Sequence, residues 1–97
     1  MKWKLLPQEC KGTYIFSGKS FITRQLAEDL PPEEVIAIAE LIQERVQAGG
    51  GADYLQVLED DKGNRIFAID SLNAEMKASG EYGAKHDYWT LMYASEY

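Results

Sequence analysis

The chain has one cysteine, one histidine and three prolines among 97 residues, and each scarcity closes something off. Cys10 alone can form no internal disulfide, and a reducing compartment fits a chain that makes no use of cystine. One cysteine and one histidine leave no zinc set of the usual kind, so no metal ligand is assigned. No apolar run approaches the roughly eighteen residues that suggest a membrane-spanning helix. The opening MKWKLLPQEC carries an apolar stretch far shorter than a signal peptide needs. The expectation is a cytoplasmic protein with no membrane partner. Bases are also few, ten against sixteen acids for a net charge of −6. That balance disfavours direct nucleic-acid binding, which wants a basic face.

What is present is enough for one modest core. Ninety-seven residues, 45% of them apolar, read as a single domain over 1–97, with no repeat, low-complexity tract or linker. The stretch that organises it is PEEVIAIAELIQERVQ from Pro32. Val35, Ile38, Ala39, Ile42 and Val46 recur at helical spacing, with Ile36 and Leu41 widening the stripe on its flanks. Pro32 suits the first helical position, Glu33 and Glu34 sit where the helix dipole favours acids, and Arg45 lies near the favourable opposite end. Gly49-Gly50-Gly51 supplies the stop, so the main helix spans about 32–48. A helix of that length needs a partner for its apolar side.

Strand-like runs supply the partner. Trp3–Leu6 is a short first strand closed by Pro7. Thr13–Ser17 and Ser20–Leu26 flank Gly18-Lys19, which suits a type II′ hairpin pairing Phe16 with Phe21 and Ile15 with Ile22. Ala27–Pro31 is an acidic connector. Tyr54–Glu59 and Arg65–Asp70 flank a polar turn with Gly63 at the bulge position. That turn pairs Leu55 with Ile69, Val57 with Phe67 and Glu59 with Arg65 on one face, and Leu58 with Ile66, Gln56 with Ala68 and Tyr54 with Asp70 on the other. The greasier Leu55/Val57/Phe67/Ile69 face is the expected seat of the helix, which leaves Leu58 and Ile66 outside. Ser71–Ser79 reads as a second helix over about 72–79 with Ser71 as cap, and Tyr88–Ala94 as a last strand with Trp89, Leu91 and Tyr93 on one side. The fold class is α+β: an antiparallel sheet of four to six short strands built from hairpins, on one main helix.

Apparent chemical motifs dissolve on inspection. Ser17-Gly18-Lys19-Ser20 contains the end of a phosphate loop, but that motif needs glycine at position 13, which is Thr13, and Gly12 misses by one. Gly49-Gly50-Gly51 follows a helix and lacks dinucleotide spacing. Asp60-Asp61-Lys62-Gly63-Asn64 lacks the alternating ligands of a calcium loop. His86 beside Asp87 would need a nucleophile brought to it, and neither Cys10 nor Ser95 is placed there by the sequence. No catalytic residue and no cofactor is assigned.

Tyrosine and tryptophan gather late in the chain. Tyr82, Tyr88, Trp89, Tyr93 and Tyr97, with Leu58 and Ile66, form the candidate interaction surface, because aromatics beyond those a core needs are enriched at interfaces. A protein partner or a second copy would occupy it. FITRQL, then LPPE, the apolar helix and DYLQVLE resemble the successive motifs of a small uncharacterised family from Gram-positive bacteria and their mobile elements. Phe21–Leu26, Leu30–Val46 and Asp53–Glu59 carry the likeness, within a span (21–59) of about 40% of the chain, and the region after Asp70 departs from it. It implies a plasmid or conjugative-element accessory protein and no activity. The functional expectation is therefore a small non-enzymatic accessory protein acting through protein contacts. Two alternatives stand beside it. One is an acidic nucleic-acid mimic using Glu28, Asp29, Glu33, Glu34, Glu40 and Glu44 against a DNA-binding enzyme; the other is a small enzyme using His86.

Overall fold

Residues 32–49 form the long helix that the apolar spacing predicts, with Pro31 as its cap residue, Pro32 at its first position, and Ile38, Ile42 and Val46 buried. Gly50 ends it in the left-handed conformation (φ 69°), where its N–H reaches the Val46 carbonyl. The computed structural model, which describes residues 3–97, sets this helix against a five-stranded sheet. In chain order the elements are β1 (Lys4–Leu5), β2 (Lys19–Ile22), α1 (Arg24–Asp29), α2 (Pro32–Gly49), β3 (Leu55–Glu59), β4 (Arg65–Asp70), α3 (Ala74–Ser79) and β5 (Tyr88–Tyr93). The strands lie side by side as β1-β3-β4-β5-β2. The fold is α+β, and the sheet is mixed rather than purely antiparallel, because β2 runs parallel to β5.

The β3–β4 hairpin has the expected register, Leu55 opposite Ile69 through Glu59 opposite Arg65. Its faces are the reverse of the expectation. Leu58, Ile66 and Ala68 are fully buried with Ile38, Ile42, Leu26, Phe16, Trp89 and Leu91, so the helix sits on the Leu58/Ile66 side. Polarity is what misleads. Gln56 and Asp70 occupy that side, and both are buried with partners. Gln56 Nε2 donates to Gln8 Oε1 at 3.0 Å and to the Asp53 carbonyl at 2.9 Å, while Arg45 donates to Gln56 Oε1 at 2.7 Å and to the Leu6 carbonyl at 2.8 Å. A buried polar side chain whose bonds are met costs little, so it marks no solvent face. Arg45 is thus drawn inward from the helix end, and desolvation lowers its pKa.

The first expected hairpin does not form. Thr13–Ser17 is irregular apart from one bridge between Tyr14 and Ala52, and β2 pairs with β5, setting Phe21 beside Thr90 and Ile22 beside Leu91. The Phe16/Phe21 and Ile15/Ile22 pairs are therefore not made. Phe16 adopts a left-handed backbone (φ 51°), and its N–H donates to Asp70 Oδ2 at 2.9 Å. Gly18 (φ 88°) then passes so close to Asp87 that a Cβ would lie 2.6 Å from the Asp87 carbonyl oxygen. The loop is tied by Lys77 of α3, whose ammonium meets Asp70 Oδ2 at 3.2 Å, Asp87 Oδ1 at 3.1 Å, and the Ser17 carbonyl and hydroxyl at 3.1 and 3.0 Å. An ammonium held by oxygens from three segments replaces the hairpin as the organiser of this end.

Two smaller corrections concern the helices. Residues 24–29 are helical rather than strand and connector, with Leu26 fully buried and Arg24 bridging Glu28 one turn on at 3.5 Å. The second helix begins at Ala74, and its cap is Asn73, whose side chain accepts from the Met76 N–H at 2.8 Å, not Ser71. β5 is interior to the sheet, between β4 and β2. No helix among the described residues is long and apolar enough to cross a membrane.

Candidate functional site

A sheet has two faces, and α1 and α2 cover only one. Because neighbours in register point the same way, the pairings define the other face. β3 contributes Leu55, Val57 and Glu59, β4 contributes Arg65, Phe67 and Ile69, β5 contributes Tyr88, Thr90 and Met92, and β2 contributes Lys19 and Phe21. Among the described residues neither α1 nor α2 packs over this face. Phe21 is 52% exposed, and Leu55, Val57, Phe67, Ile69, Tyr88 and Met92 are half-buried. Phe21 meets Tyr88 edge-on with ring centroids 5.3 Å apart, and Phe67 meets Tyr97 in the same way at 5.5 Å. Tyr97 crosses from the top of β5 toward Tyr54, whose phenol pKa lies above its ordinary 10.0, chiefly through its hydrogen bond to Tyr97. Charge is confined to the margins: Arg65 bonds Glu59 at 2.9 Å at one end, beside Lys4, and Lys19 stands at the other.

Of the seven residues proposed from sequence, three are not surface at all. Leu58 and Ile66 are fully buried and Trp89 is 6% exposed, packed edge-on against Phe16 at 5.9 Å. They belong to the core beneath the helix. Tyr88 and Tyr97 lie on the open face, and Tyr82 is exposed in the loop that leads to β5. Tyr93 lies on the helix side. Its hydroxyl donates a short hydrogen bond to Asp29, in a polar cleft of about 360 Å³ that Trp3, Asp60, Asn64 and Ser95 also line. That bond holds the Tyr93 proton and pushes its pKa up to about 12. An ultraviolet titration of the Asp29→Asn variant should return this phenol toward 10; an unchanged high-pH step would show that the bond is not made in solution. The residues missed were Phe21, Leu55, Val57, Phe67, Ile69 and Met92. Period-two spacing picks out Leu55, Val57, Phe67 and Ile69 as one face, but their greasiness points to the helix side; the sequence leaves the side of Phe21 open and says nothing of Met92.

His86 sits exposed on a single helical turn, beside a shallow depression lined by Ser71, Leu72, Tyr82 and Tyr88. Ser71 is committed elsewhere: its Oγ lies 2.5 Å from the His86 carbonyl and 2.8 Å from the Tyr88 carbonyl. Ser95 follows the far end of β5, about 20 Å away at the usual rise per strand residue. The acids named for mimicry lie in the helix layer. Glu33, Glu40 and Glu44 share the exposed side of α2, at rises of about 10 and 6 Å, Glu34 is half-buried, and Glu28 is ion-paired. Among the described residues no group of three acids, histidines or cysteines is placed to hold a metal ion. Comparison of the chain with protein-family models, curated proteins and solved structures returned no match.

Proposed function

We propose that this chain is a non-enzymatic accessory protein that works through protein contacts, and that its open sheet face joins it to a second copy of itself. The observation that carries the reading is the face of Phe21, Leu55, Val57, Phe67, Ile69, Tyr88 and Met92, apolar at its centre and without a covering helix. Seven large side chains, each leaving some tens of Å² open, make a contiguous apolar patch on the order of a few hundred Å², so the charged margin and the chain end would have to supply the rest of the roughly 800 Å² that one partner gives to a standard interface. They also exceed what scattered surface residues ordinarily present. A central patch free of charge is typical of homodimer interfaces, which resemble a core cut in half. Two such faces would stack at about 10 Å, as packed sheets do, giving helix, sheet, sheet and helix in four layers.

Electrostatics permits this. The net −6 is not spread evenly: Glu28, Asp29, Glu33, Glu40 and Glu44 all belong to the helix layer, while the open face carries Lys4, Lys19 and Arg65 against Glu59. The charges that would repel a second copy are therefore turned away from it, beyond a Debye length of about 8 Å at physiological salt. The absence of an assigned enzyme activity is part of the same reading, supported by Ser71 being spent on backbone carbonyls beside an exposed His86. An accessory role in a mobile element is what the resemblance of the Phe21–Leu26, Leu30–Val46 and Asp53–Glu59 motifs implies, and it rests on those motifs alone.

Sedimentation velocity tests this directly. A species of twice the 11.0 kDa chain mass is expected at micromolar concentration, with Ile69→Lys weakening the association at least about a hundredfold while circular dichroism stays unchanged. A chain that sediments as a monomer up to millimolar concentration would remove the proposal.

A further inference from the structure

The sheet also ends in an open edge. β2 is the last strand in the order β1-β3-β4-β5-β2, so among the described residues nothing pairs with its outer side. The Lys19 and Thr23 N–H groups donate inward, to the carbonyls of Asp87 at 3.3 Å and Leu91 at 3.1 Å. Backbone groups alternate along a strand, so the amides and carbonyls of Ser20 and Ile22 point outward. An open row of donors and acceptors is a template for another strand, and proteins ordinarily blunt it with charge, proline or a covering loop. Here the middle of the strand carries none of these. Its residues are Lys19, Ser20, Phe21 and Ile22, three of them exposed.

Immediately beside that edge lies an apolar cleft of about 370 Å³, walled by Ile22 of β2, Ala27 and Leu30 of the α1 segment, and Pro32, Val35 and Ile36 of α2. Ile36 was expected on the buried stripe and is 60% exposed, because it overhangs this cleft rather than the core. Ile22 points to the helix side, as its partner Leu91 does, whereas Phe21 points to the open face. A strand added along β2 would place the residue beside Ile22 in the cleft, and the next residue beside Phe21. The rim is acidic: Glu33 and Glu40 stand one turn either side of Ile36, and Glu28 lies on the α1 wall. Lys19 stands at the other end of the strand.

We infer that the β2 edge and the cleft together form a β-augmentation site for an extended segment of a partner protein. The segment would carry two adjacent apolar residues, one for the cleft and one for Phe21, with a lysine or arginine at the acidic end. Main-chain bonds to Ser20 and Ile22 supply affinity, and the cleft and its rim supply selectivity. The charge order, acids at the Ile22 end and Lys19 at the other, fixes the direction in which the segment lies. This site shares Phe21 with the open face, but the β2 edge and the cleft lie outside that face and do not require the dimer.

The experiment is a selection of the full chain against a displayed library of random nonapeptides, followed by binding of the enriched peptides to variants. Enriched sequences should share the apolar pair with a base on one side. Ile36→Asp, an exposed change, and Ser20→Pro, which removes an outward donor from an edge position where proline is tolerated, should each weaken binding at least tenfold. Ile69→Lys should leave it unchanged. In hydrogen exchange the Ser20 and Ile22 amides should gain protection on binding. The inference is overturned if no such pattern is enriched, if both variants bind as the parent does, or if those two amides stay unprotected. It is overturned equally if Ser20→Pro abolishes self-association, since a second copy would then own the edge.

Discussion

Replacing Lys77 by methionine is expected to destabilise the fold by about 3–5 kcal/mol, the cost of stranding a buried charge by removing its partner. The Asp70 side chain is 0% exposed and the Lys77 side chain 10%, and the two lie 3.2 Å apart. In water such a pair would be worth little; here neither group has solvent to fall back on. The dependence on pH gives the prediction its sign. Burial already holds the Asp70 carboxyl above its ordinary 3.8, outweighing Lys77 and the Phe16 N–H, which pull the other way. A raised folded value means that the protonated form suits the fold. Its stabilising contribution is complete below 3.8 and is lost as pH rises through the folded value. Without Lys77 that value must climb further. Urea unfolding should therefore show a deficit for Lys77→Met that is smallest in acid and grows toward neutrality. Adding Asp70→Asn should recover most of it. A loss under about 1 kcal/mol that ignores pH would mean that water reaches the pair.

That cluster also explains why parts of this fold were legible in the sequence and others were not. α2 was readable because its signals are local and agree: Pro32 at the start, Glu33 and Glu34 in the first turn, apolar residues at helical spacing, glycines at the end. The β3–β4 register was readable for the same reason, since Gly63 at the turn fixes every pair after it. Segment 13–23 was not. Its Gly18-Lys19 is a sound hairpin signal, but Phe16, Gly18 and Ser17 are held by Asp70, Asp87 and Lys77, all more than fifty residues away, and no local rule reports such a tie. Parallel pairing of β2 with β5 is non-local in the same sense. The choice of sheet face failed for another reason. Both faces of the hairpin are apolar, and the tie was broken on the polarity of Gln56 and Asp70, which turned out to be partnered inside. The expected interaction surface inherits that reversal in Leu58 and Ile66 and, by omission, in Ile69; Trp89 enters it by aromatic enrichment alone, and the side of Phe21 is left open because its strand partner is non-local.

The most discriminating test of the architecture uses two adjacent residues. Leu58→Lys should abolish cooperative folding, because it puts an ammonium beneath α2 at a fully buried position, with a penalty above about 4 kcal/mol against a total stability of about 5–15. Val57→Lys, one residue earlier, should fold. Its side chain stands on the open face, half-buried, beside Phe67, and a lysine there can extend its stem along apolar surface and keep its charge in water. The same substitution should still separate the dimer, since the charge would fall in the dry centre of the contact. One residue apart, the two variants thus sort stability from association: the first loses its unfolding transition, the second keeps it and sediments as a monomer. The opposite pattern, with Val57→Lys unfolded and Leu58→Lys native, would exchange the faces of the sheet and remove the surface on which the functional reading rests.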